Sequence, residues 1–95
     1  MARASEATLK QLHSLLVELR KIPELTETKT GIFYVKRVPM LHFHETDQGI
    51  VADLKCVAPA VSGFDRLDAG SEGARKTLLA EAAKRCRVLQ LKRYS

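Results

Sequence analysis

The chain has no tryptophan, and two tyrosines and three phenylalanines supply all of its aromatic content. A core built from it must rest on aliphatic packing, with leucine as the main filler. Cysteine is nearly as scarce, with two in 95 residues, too few for a disulfide-stapled scaffold. Cys56 and Cys86 have no CxxC spacing and no finger-like metal partners, so both are expected as reduced, buried thiols. No apolar run approaches the ~18 residues needed to span a bilayer, and no membrane partner is expected. The first twenty residues carry Glu6 and Glu18, and their longest aliphatic run, Leu15-Leu16-Val17, is too short for a secretory core. Internal repeats and low-complexity segments are absent as well. A single cytoplasmic domain over 1–95 is the expectation.

What is present is 45% hydrophobic residues and a net charge of +5. That content excludes a disordered chain. The charge is unevenly placed. Residues 75–95 hold seven Lys or Arg and one acid, a net of +6, whereas residues 1–74 hold nine basic and ten acidic side chains, a net of −1. The excess belongs to the C-terminal segment.

Ser5 suits a helix N-cap, and Leu9, Leu12, Leu16 and Leu19 recur at helical spacing, with Leu15 on the flank. Ile22-Pro23 ends that helix, which is expected over 5–21, and the polar residues 23–31 read as a loop. Ile32 to Lys36 is β-branched and aromatic, and Met40 to Glu45 and Ile50 to Val57 follow as strands around the turn Thr46-Asp47-Gln48-Gly49. Residues 58–70 read as a loop with room for a short strand at Phe64 to Leu67. Ser71 then caps a second helix with Leu78, Leu79, Ala82, Cys86 and Leu89 on one face. The order α-β-β-β-α predicts a two-layer α+β domain: a three- to four-stranded antiparallel meander with both helices on one face.

Hairpin parity then sorts the side chains. If Thr46 pairs with Gly49, His42 stands opposite Asp53; a shift by one residue puts His44 there instead. Extending the register across Arg37-Val38-Pro39 pairs Phe33 with Phe43, Val35 with Leu41 and Tyr34 with His42. One face then carries Phe33, Val35, Leu41, Phe43, Ala52, Leu54 and Cys56, the surface to bury. The other carries Tyr34, Lys36, His42, His44, Asp53 and Lys55, mixed with Ile32, Met40 and Val51.

Tyr34, His42, His44 and Asp53 form the candidate binding face. Two imidazoles on alternate strand residues beside a carboxylate are also a ligand set for zinc, iron or copper, although no further histidine or glutamate completes a barrel-type metal motif. The plainer reading is a pair of polar strand histidines, one bonded to Asp53. A hydrolase needs a nucleophile beside the His–Asp pair. Cys56 projects from the other face, and no GxSxG elbow surrounds Ser62 or Ser71. No catalytic residue is assigned and no cofactor is implied. Gly70-Ser71-Glu72-Gly73 lacks the lysine of a phosphate loop and reads as a helix cap. Lys84, Arg85 and Arg87 are candidate phosphate contacts for a nucleic acid, without interleaved aromatics to stack on bases.

Met40-Leu41-His42-Phe43-His44-Glu45 followed by Gly49-Ile50-Val51-Ala52-Asp53-Leu54 resembles a signature of small bacterial proteins of unknown function. These share an LHFHE stretch, then glycine and an aliphatic–x–Ala-Asp–aliphatic run, with a Phe-Asp/Glu-Arg segment matched here by Phe64-Asp65-Arg66. The resemblance covers roughly residues 32–90 and implies no activity for any residue. A non-catalytic binding or interaction module is the expectation, with a homodimer or another protein as partner. The metal-binding or hydrolytic reading and the nucleic-acid reading stand behind it. Ile32, Tyr34, Met40 and Val51 on the uncovered face, with Val88 and Leu91 on the second helix, are the candidate contact residues.

Overall fold

The computed structural model describes residues 2–94 and, of the side chains, those of residues 4–90. Six strands and three helices follow in the order β1 (Ala2–Arg3), α1 (Glu6–Gln11), α2 (His13–Arg20), β2 (Leu25–Lys29), β3 (Ile32–Val35), β4 (Val38–Thr46), β5 (Gly49–Lys55), β6 (Phe64–Asp68) and α3 (Glu72–Tyr94). The fold is α+β with an antiparallel sheet. No described helix is long and apolar enough to cross a membrane.

The N-terminal helix expected over 5–21 is two helices joined at Leu12. The Ser5 hydroxyl caps α1 by accepting from the Thr8 N–H at 3.3 Å. Leu12 leaves helical torsions, yet its N–H donates to the Thr8 carbonyl and its carbonyl accepts from Leu16, so the two segments stay stacked. Leu12, Leu15, Leu16 and Leu19 are all buried.

The sheet is larger than the expected three to four strands. Its path is β2-β3-β4-β5-β6, and β1 also pairs with β4. The stretch read as a loop over 23–31 contains β2, because Leu25 pairs with Val35 and is buried while threonines supply β-branched polar positions. The β4–β5 hairpin has the Thr46–Gly49 register, with Gly49 at φ +118°. His42 therefore stands opposite Asp53, and Leu41 opposite Leu54.

The β3–β4 register departs from the parity expectation. Val35 pairs with Val38 across a tight Lys36–Arg37 turn, and Phe33 pairs with Leu41, not with Phe43. Tyr34 faces Pro39, and Ile32 takes the place opposite His42. Between these pairs Met40 is an extra residue, a β-bulge, which turns it inward and leaves it fully buried instead of on the open face.

One core joins both layers. Phe33, Val35, Leu41, Phe43, Ala52 and Leu54 of the sheet cluster with the α1–α2 leucines and with Leu78, Ala82 and Cys86 of α3. All helices consequently cover one face. The Ser71 hydroxyl accepts from the Ala74 N–H at 3.1 Å and caps α3. Cys86 is buried, and burial pushes its thiol up to about 11; Cys56 is only half-buried, at the strand end. Leu91 lies outside the described side chains, and Val88 is half-buried.

Candidate functional site

The uncovered face of the sheet gathers its polar chemistry at one place. Alternation sends His42 and His44 of β4 to that face, and the hairpin registers add Asp53 of β5 and Arg66 of β6 directly alongside. His44 Nε2 lies 3.0 Å from Asp53 Oδ2, and His42 Nε2 lies 3.5 Å from the same oxygen. From the other side Arg66 Nε donates to Oδ1 at 3.0 Å and its Nη2 to Oδ2 at 3.1 Å. Two imidazoles and one guanidinium thus converge on one carboxylate.

The environment fits that geometry. The Asp53 side chain is 15% exposed, while Arg66 is 43% exposed. The Arg66 hydrogen bonds, and then its charge and those of the histidines, hold the Asp53 carboxyl below its ordinary range despite partial burial. The two imidazoles meet edge to face with centroids 4.8 Å apart, and the Phe64 ring stands 5.3 Å from His42. The Lys55 ammonium lies 6.0 Å from the Phe64 ring.

Beside this cluster lies a cleft of about 230 Å³, where β1 and β3 meet along the same edge of β4. Tyr34 and His42 both line it, together with Ile32, Pro39, Ala4 and Leu9. Tyr34 is thus near the histidines through the cleft, although it is not their cross-strand partner. Asp53, His42 and His44 were legible from one hairpin register. The sequence does not place Arg66 and Phe64 beside them, because the loop before β6 hides its register. The sequence signal for it is the short strand expected at Phe64 to Leu67.

The basic C-terminal helix is differently organised. Arg85 is turned inward: it pairs with Asp65 at 2.8 Å and Glu81 at 2.9 Å, and donates to the Leu54 and Lys55 carbonyls. Its guanidinium ties α3 to the sheet edge. Lys84 and Arg87 are exposed on the same helix. Cys56 lines a groove with Lys84, Arg85 and Val88, on the helix side of the sheet and away from Asp53. An imidazole-activated thiol is therefore not assembled here.

No protein-family model, curated protein or solved structure matches this chain.

Proposed function

We propose that this protein is a non-catalytic interaction module whose binding surface is the open face of the sheet, and that its first partner is a second copy of itself. The observation that carries the reading is the composition of that face. Ile32, Tyr34, Val51 and Phe64 surround the His42–His44–Asp53–Arg66 cluster, no helix covers them, and Phe64 is 42% exposed. Uncovered apolar side chains clustered on one face of a small domain mark a contact surface.

Charge placement favours a two-fold pairing. Lys55 pairs with Phe64 at one end of the β5–β6 hairpin, and Asp68 pairs with Val51 at the other. The two ends are four residue steps apart along the strand, about 13 Å. A two-fold axis through the middle sets Lys55 of one copy against Asp68 of the other, twice.

Sedimentation equilibrium at tens of micromolar tests this. The wild type is expected at twice 10.6 kDa, and Phe64→Glu at 10.6 kDa. A wild-type chain that is monomeric at that concentration overturns the reading.

A further inference from the structure

We propose that His42, His44 and Asp53 bind a divalent transition-metal ion, zinc first, with Arg66 as the residue that positions the carboxylate. One ligand atom from each of the three lies within 4.8 Å of the others. Zinc holds nitrogen and oxygen ligands at about 2.0–2.2 Å, which separates tetrahedral ligand atoms by about 3.4 Å. The two imidazole–carboxylate separations, 3.0 and 3.5 Å, already bracket that spacing. Closing the remaining gap, from at most 4.8 Å to about 3.4 Å, takes side-chain rotation alone.

Three further features suit an ion over a plain hydrogen-bond network. Both imidazoles present Nε2 to the same oxygen, so two nitrogens and one oxygen converge on one small volume. Their rings are fixed by strand alternation and by packing against each other and Phe64, which limits the entropy lost on binding. Arg66 bonds both oxygens of Asp53, the kind of outer contact that orients a ligating carboxylate. The donor set, two imidazoles and one carboxylate, selects zinc, copper or nickel over magnesium or calcium. Three protein ligands on an uncovered face leave the fourth position to water or to a group from a partner. This proposal is independent of self-association, because the ligands all belong to one chain.

Isothermal titration of chelator-treated protein with zinc chloride tests it, with magnesium chloride as control. One zinc per chain is expected, with no magnesium heat. Replacing both imidazoles (His42→Ala plus His44→Ala) is expected to weaken binding by at least ~30-fold, and Asp53→Asn by at least ~10-fold. Cobalt(II) added to the wild type is expected to give the visible absorption of a tetrahedral site, absent in the double variant. Should the double variant fail to fold, the single variant His44→Gln carries the same test. Zinc binding no tighter than millimolar, or binding that survives loss of both histidines, overturns the proposal. Measuring the same titration on Lys55→Glu, which reverses the charge set against Asp68 of the second copy and changes none of the three ligands, separates its failure from failure of the dimer.

Discussion

Met40 and Leu41 are consecutive residues of β4, and both are completely buried. In a regular strand neighbours point to opposite faces. Here Phe33 pairs with Leu41 and Tyr34 with Pro39, so Met40 is the unpaired residue of a bulge and both side chains reach the core. Downstream of the bulge the alternation resumes, which is why Phe43 is buried while His42 and His44 face outward.

The face assignment predicts an order of stabilities. Met40→Ala, Phe43→Ala and Leu54→Ala are each expected to cost ~2–5 kcal/mol, the range for truncating buried side chains. His42→Ala is expected to cost less than any of them. Urea denaturation of the four variants checks this. A loss at His42 equal to that at Phe43 contradicts the assignment.

Gly31 closes the β2–β3 turn at φ +79°, and a Cβ there lies 2.7 Å from Leu9 Cδ2. The leucine tip can move, so the backbone is the dominant cost of a side chain at this position. Gly31→Ala is expected to lose about 1–2 kcal/mol, and Gly31→Asn less, since asparagine tolerates left-handed torsions. Adding Leu9→Ala to Gly31→Ala is expected to restore nothing. Thermal melts that show full rescue place the strain in the contact instead.

Glu27 accepts from Arg20 Nε at 2.6 Å and from the Gly31 N–H at 2.9 Å. The Arg20 hydrogen bond first, with help from Gly31, holds its carboxyl below the ordinary glutamate value. The folded state therefore favours the charged form. Its stabilising contribution is present above the unfolded-state value and disappears as pH falls through the lower folded-state value. Glu27→Gln is expected to flatten the decline in stability between about pH 5 and pH 2 without removing it, because Asp53 is shifted the same way. Urea midpoints across that range decide. A variant curve parallel to the wild type contradicts the linkage.

Legibility in the sequence followed the strength of local signals. Thr46-Asp47-Gln48-Gly49 is a two-residue hairpin turn, and its register alone sets His42 opposite Asp53. The leucine stripe of α1–α2 and the Leu78–Ala82–Cys86 face of α3 are equally direct, because helical periodicity needs no partner. Three features gave no such signal. β2 is an edge strand whose Thr-Glu-Thr-Lys alternation buries little beyond Leu25, so it reads as a polar loop. The Met40 bulge depends on how β3 fits β4, a tertiary outcome with no glycine to mark it. Arg66 reaches Asp53 only after the chain returns through residues 56–63, and a loop of that length carries no register. The missing member of the site was thus the one contributed across the longest connection.

In the proposed dimer the open face of β4–β6 meets its counterpart in a second copy. Mixing ¹³C-labelled with unlabelled protein and recording isotope-filtered nuclear Overhauser effects reads that contact directly. Cross-chain signals are expected from the Phe64 ring and the Val51 methyls, with Lys55 of one chain close to Asp68 of its partner. Cross-chain signals confined to Val61 and the exposed side of α3, with none from residues 51–55 or 64–68, contradict it.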